Sequence, residues 1–155
     1  MNRSLRNTLL ATLACGLAAS AHAQLSAEDM IKFRQSAYTV MSWNMGTIKG
    51  QVEGESYDQA RVAAAANSIA AIANSGMGAL YGPGTDKGKG WKETRLKSEF
   101  FTEQDKVREI GTNFVQQANK LQEVAMNGDK AAVTAQFGEV GKACKACHDN
   151  FRTEE

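Results

Sequence analysis

Val140-Gly141-Lys142-Ala143-Cys144-Lys145-Ala146-Cys147-His148-Asp149-Asn150-Phe151-Arg152 is the stretch on which the reading of this 155-residue sequence turns. Cys144, Cys147 and His148 form the C-x-x-C-H pattern of c-type haem attachment. The spacing has a mechanical reason. On a helix, two thiols three residues apart face one ligand and can form thioethers with its two vinyl groups. An imidazole four residues after the first thiol sits one turn on and can bind the iron from the same side. Three other chemistries share parts of this pattern. A redox C-x-x-C normally opens a helix of an α/β fold, whereas this one follows roughly four helical turns. Zinc would need a fourth ligand, and a structural disulfide across two intervening residues would constrain almost nothing.

Working backwards from the motif, Val133, Phe137, Val140, Cys144, Cys147 and Phe151 lie on one helical stripe behind Asp129, a suitable N-cap. Three more segments repeat apolar residues at steps of three and four. Residues 102–127 carry Val107, Ile110, Phe114, Ala118, Leu121 and Ala125, with Gly128 placed to end the helix. Residues 56–76 carry Val62, Ala65, Ile69, Ile72 and Ala73, and their alanine richness permits close approach of a neighbour. Residues 26–50 carry Met30, Phe33, Ala37, Met41, Met45 and Ile48, opened by a capping-box-like Ser26 and Asp29. No alternating strand of useful length is present. Connections near 50–55 and at Gly128 are short, while 77–101 is long and holds the only proline, Pro83. The expectation is one all-α domain, an antiparallel four-helix bundle with a long connection between the second and third helices.

Residues 1–23 read as a secretory signal peptide: Arg3 and Arg6, an uncharged run from Thr8 to Ala19, then Ala21-His22-Ala23. A lipoprotein signal at Cys15 is the competing reading, but it lacks the usual leucine three residues before the cysteine and would cut the apolar run short. Cleavage after Ala23 leaves a bundle domain at 24–155 and removes Cys15 and His22, so Cys144, Cys147 and His148 become the only cysteines and histidine. It also turns 18 basic against 17 acidic residues into 16 against 17, which excludes a binder of polyanions through a dense basic surface. No nucleophile–base pair, Gly-rich phosphate loop or carboxylate pair suggests a hydrolytic enzyme.

With these segments in place the sequence resembles the cytochromes c′, four-helix-bundle haem proteins of the bacterial periplasm. The resemblance runs through KFRQSAYTVM (32–41), SYDQA (56–60), GPGT (82–85) and VGKACKACHDNFR (140–152), the last being the most specific. It is weakest over 86–101, where the family's Pro-Glu-Ile-Trp-like sequence is replaced by Lys97-Ser98-Glu99-Phe100-Phe101. The resemblance implies one haem c per chain on Cys144 and Cys147, His148 as the axial ligand and metal-binding residue, and Arg152 as the basic residue beside it. It places Arg34 and Gln35 at the haem edge, where a guanidinium can pair with a propionate in two-point fashion. It sets Thr94 loosely at the same edge and Tyr38 opposite the iron, where electron-carrying relatives have a methionine. It also implies homodimers formed through the first two helices. Trp43 and Trp91 read as packing or interface residues.

Two functions follow. In the first, a five-coordinate periplasmic haem protein binds nitric oxide and carbon monoxide beside Tyr38, in nitric oxide binding or tolerance. In the second, the chain is an electron carrier with a periplasmic redox partner. Met41 is the strongest candidate for a sixth ligand, although it and Met45 also fit the core stripe, where thioethers fill gaps.

Overall fold

A computed structural model describes residues 25–154, so the expected signal peptide lies outside the described residues. Four helices follow one another: α1 (Ala27–Glu53), α2 (Gln59–Ala73), α3 (Gln104–Asn127) and α4 (Lys130–Phe151). Each sequence-derived segment matches one of them, and the bundle is all-α as expected. Among the described residues no helix is long and apolar enough to cross a membrane.

The starts follow from capping chemistry. Ser26 Oγ accepts from the Asp29 amide at 3.0 Å, the first half of the anticipated box, while the second bond runs from the Ser26 hydroxyl to the Asp29 carboxylate at 2.7 Å. Asp129 caps α4 by accepting from the Ala132 amide at 2.8 Å. The second helix begins later than expected, because Asp58 rather than Ser56 is the cap and accepts from the Arg61 amide at 3.0 Å. The first continues past Gly50 to Glu53, because an interior glycine costs only about 1 kcal/mol.

Successive helices pack on one another, and α1 meets α4 far less closely than the other neighbouring pairs meet. The core draws on all four helices, combining Met41 and Ile48 with Val62, Ala65, Ala66, Ile69, Ala118, Leu121, Ala125, Val133 and Val140. Alanines on α2 and α3 bring those backbones together, and each fully buried Val, Ile or Leu contributes about 1.5–3 kcal/mol. The expected α1 stripe needs one correction. Phe33 is 48% exposed, while Ile31, Arg34 and Asn44 turn inward. The reason is the long connection, which lies against α1 and covers a second side of it.

That connection, residues 74–103, contains single 3-10 turns at Met77–Leu80 and Ser98–Phe101. It approaches α1 so closely that a Cβ on Gly90 would fall 2.5 Å from the Lys32 amide nitrogen. Its far end is fastened to the C-terminus of α4 by Lys97 N–H to the Phe151 carbonyl at 2.9 Å and Thr153 N–H to the Arg95 carbonyl at 2.9 Å.

Candidate haem site

Cys144 and Cys147 are three residues apart on the last turns of α4, both free thiols and half-buried. Burial pushes both thiols above their ordinary pKa, so they are neutral at pH 7. His148 is more open. Burial first and then the Arg152 charge lower its imidazole pKa, opposed by Asp149, with Arg95 adding to the lowering. Among the described residues no three His, Cys, Asp or Glu side chains gather in a group that could hold a metal ion by themselves.

Arg152 stands near enough to His148 to help lower its pKa. Helix α4 ends at Phe151, and Arg152 is extended, with φ −119° and ψ 129°, while its amide still donates to the His148 carbonyl. A bridge to Leu96 of the connection holds it there. Arg152 is thus tethered across to the connection rather than carried within the helix.

Facing the cysteines from α1 is Tyr38. Its hydroxyl is 2.6 Å from that of Tyr81 in the connection, and both phenols lie near Cys147, which adds to the raising of their pKa values. Burial is the largest cause raising both tyrosine pKa values, well above the ordinary one for Tyr81. Tyr38 nevertheless keeps 41% of its surface open, so neighbours enclose its hydroxyl end more than its ring. Tyr81 was not anticipated. Its position directly before the 82–85 turn was the available signal, and only the fold shows that this turn folds back to α1.

Arg34 is 4% exposed and donates through Nη1 to the Leu80 carbonyl at 3.2 Å and through Nη2 to the Thr85 carbonyl at 2.5 Å and Thr94 Oγ1 at 2.6 Å. Both Nη2 protons are thus committed within the protein. These bonds fasten the connection to α1, and Nε and one Nη1 proton carry no bond among the described residues. Thr94 is part of that fastening, donating in turn to the Thr85 carbonyl at 3.2 Å. Gln35 does similar work one residue on. Its Oε1 accepts from the Trp91 and Lys92 amides at 2.8 and 3.2 Å, and its Nε2 donates to the Lys92 carbonyl at 2.9 Å. Trp91 has a definite role as well: its indole donates to Ser36 Oγ at 2.7 Å under the Lys32 ammonium.

The donor set fits a haem c. Two neutral thiols with C-x-x-C spacing and an adjacent imidazole stand on one helix, at the side of the bundle where α1 and α4 pack least closely, with aromatic rings opposite. The two thioethers weighed as rivals are placed elsewhere: Met41 is buried in the core and Met45 packs against it.

Known proteins agree with this assignment. The chain is 54% identical to the cytochrome c′ of Allochromatium vinosum over 99% of its own length and all of that protein's. A solved cytochrome c′ with ligand-controlled dimer dissociation shares 56% identity at a TM-score of 0.80, covering 84% of this chain and 98% of its own. A variant of the Alcaligenes xylosoxidans cytochrome c′, solved with nitric oxide bound, shares 31% identity at a TM-score of 0.74 over 84% of this chain and 98% of its own, and another variant was solved with carbon monoxide. The family binds haem c, and Cys144 and Cys147 supply its covalent attachment. With the cytochrome C′ family model matching residues 29–152, from the first turn of α1 to the cap of α4, the chain belongs to the cytochrome c′ family.

Proposed function

We propose that the mature chain is a periplasmic haem protein that binds nitric oxide and carbon monoxide, with a role in nitric oxide binding or tolerance. Cys144 and Cys147 hold the porphyrin, His148 binds the iron from the α4 side, and Arg152 places a cation beside that imidazole. When bound, the haem supplies an iron at which a neutral diatomic can coordinate and a one-electron couple. The chain itself decides what reaches that iron. The observation that carries the reading is the side chain facing the cysteines from α1: a phenol tied to a second phenol, with the nearest rival thioether, Met41, held in the core. A phenol must be displaced before a ligand enters, so entry is selected by size and charge. The complexes of the Alcaligenes xylosoxidans relative with both gases support the same reading. The optical spectrum of the reduced protein tests it: a change on adding carbon monoxide is expected, and no change refutes it.

Electron transfer is the alternative, favoured by exposed Lys87, Lys89 and Lys92 on the connection that Arg34 and Gln35 hold down, where a redox partner of opposite charge could dock. A six-coordinate, low-spin spectrum indifferent to carbon monoxide would establish it in place of gas binding.

Homodimer formation through α1 and α2 belongs to the same proposal. Phe33, Val40 and Trp43 are 48%, 48% and 71% exposed at helical spacing along α1, an apolar stripe suited to a second copy. Sedimentation of the holoprotein over a range of concentrations is expected to show a dimer, and a constant monomer mass would refute it.

A further inference from the structure

The two tyrosines that meet at 2.6 Å are held very differently. Tyr81 is fixed on several sides. Its ring stacks on Phe100, with centroids 4.5 Å apart and planes 19° from parallel, and Phe100 meets the edge of Phe151 on α4 at 5.5 Å. The Arg34 guanidinium lies 4.8 Å from the Tyr81 ring centroid, a cation–π contact made by a side chain itself anchored to Leu80, Thr85 and Thr94. The Tyr81 amide donates to the Gly78 carbonyl at 3.1 Å. Tyr38 has no comparable frame. It projects from α1 with 41% of its surface exposed, and the bond to Tyr81 is the one side-chain hydrogen bond its hydroxyl makes among the described residues. One phenol is held on several sides and the other by a single side-chain bond.

We propose that Tyr81 is a positioning residue that latches Tyr38 across the ligand-entry side of the haem site and so sets the rate at which a diatomic gas enters. The proposal rests on the gas-binding reading above. Tyr38 must leave the path of an incoming ligand, and to do so it gives up the bond to Tyr81. A hydrogen bond of ordinary net strength corresponds to about a fivefold change in the population of the freed phenol. Tyr81 touches no ligand in this scheme. It acts through the position of Tyr38.

The test uses ferrous holoprotein and carbon monoxide as the probe, with wild type, Tyr38→Phe, Tyr81→Phe and the double variant. Both phenylalanines keep the rings and remove only the hydroxyls. Ultraviolet resonance Raman spectra of the same proteins without carbon monoxide report tyrosine hydrogen bonding independently of gas binding, and Tyr57, whose buried hydroxyl has no partner, supplies the unbonded reference. A latch predicts that each single variant combines with carbon monoxide about fivefold faster, because both remove the same bond. The double variant should be no faster than either single one, and Tyr81→Phe should shift the Tyr38 bands to the unbonded pattern. Rates unchanged in Tyr81→Phe, or effects that multiply in the double variant, would overturn the latch while leaving gas binding intact. If no variant binds carbon monoxide although the Raman pair is present in the wild type, gas binding itself fails, and with it any role of the pair in entry. Should Tyr81→Phe not fold, Tyr38→Phe breaks the bond from the exposed side of α1. It must then free the Tyr81 hydroxyl in the Raman spectrum and raise the rate, and an unaltered rate would refute the latch.

Discussion

Two interfaces of this bundle are buried by opposite means. Where α2, α3 and α4 meet, the contact is dry: Ala65, Ala66, Ile69, Ala118, Leu121, Ala125, Val133 and Val140 form one cluster, and polar pairs such as Asn67 with Gln122 and Asn74 with Asn119 lie outside it. Where α1 meets the long connection, the contact is made of directed bonds from Arg34, Gln35, Ser36 and Tyr38 to carbonyls, amides and hydroxyls over Leu80, Tyr81, Thr85, Trp91, Lys92 and Thr94. The first surface tolerates little change in volume but is indifferent to direction. The second also covers Met30 and Ile31, but depends in addition on each donor meeting its acceptor. Tyr38 and Tyr81 belong to the second, so the gas entrance proposed above lies on the part of the molecule held by separable bonds.

This contrast can be broken most forcefully in the core. Leu121→Ala is expected to lower the unfolding free energy of the holoprotein by about 3 kcal/mol, through lost burial and a cavity that close-packed helices cannot collapse. Denaturant titration measures it, and tryptic cleavage at Lys87 and Lys89 under native conditions should not change. Arg34→Ala comes next, at about 2 kcal/mol, since it removes three bonds of a buried guanidinium, leaving the Leu80 carbonyl without that donor and the Thr85 carbonyl with Thr94 Oγ1 alone. Here the same tryptic sites should open while helical circular dichroism is retained. Equal cleavage in the two variants would show that both regions melt as one unit and would end the distinction drawn above.

A smaller effect sharpens the comparison with pH. Tyr81 has its pKa raised well above 10.0, chiefly by burial. Between the ordinary value and the raised one, the unfolded chain has released this proton and the folded chain has kept it. Stability is therefore full below about pH 10 and falls as pH rises beyond it. Tyr81→Phe should flatten that alkaline fall in unfolding curves of the holoprotein, and a slope identical to wild type would refute the assignment. The smallest change is expected from Gln35→Ala, under about 1 kcal/mol in global stability. Faster amide exchange confined to Trp91 and Lys92 should reveal it, because those two amides lose their acceptor.

The helices were legible because their causes are local. Periodicity placed Val133, Val140, Leu121 and Ile69 in the core, and Ser26 and Asp129 capped where a short polar side chain before an apolar run predicts. What was missed has non-local causes. Phe33 fits the apolar step of α1 but faces outward, because a second layer, invisible to periodicity, lies over Ile31 and Arg34. The protein partners of the Arg34 guanidinium were not legible, because an arginine's partners are not written in its neighbours. Its acceptors at Leu80, Thr85 and Thr94 are 46, 51 and 60 residues away. Tyr81 and Phe100 escaped notice for the same reason: their significance is a stack between two halves of an irregular segment.

What the sequence determined by itself was the chemistry of attachment and the count of helices, since Cys144, Cys147 and His148 act through spacing along one helix and the bundle through its 3.6-residue period. What only the tertiary structure decided was the wall opposite them. It is built by a connection of irregular backbone folded against α1, whose course follows from hydrogen bonds between residues far apart in the chain, and no local rule of propensity or period encodes pairings at that distance.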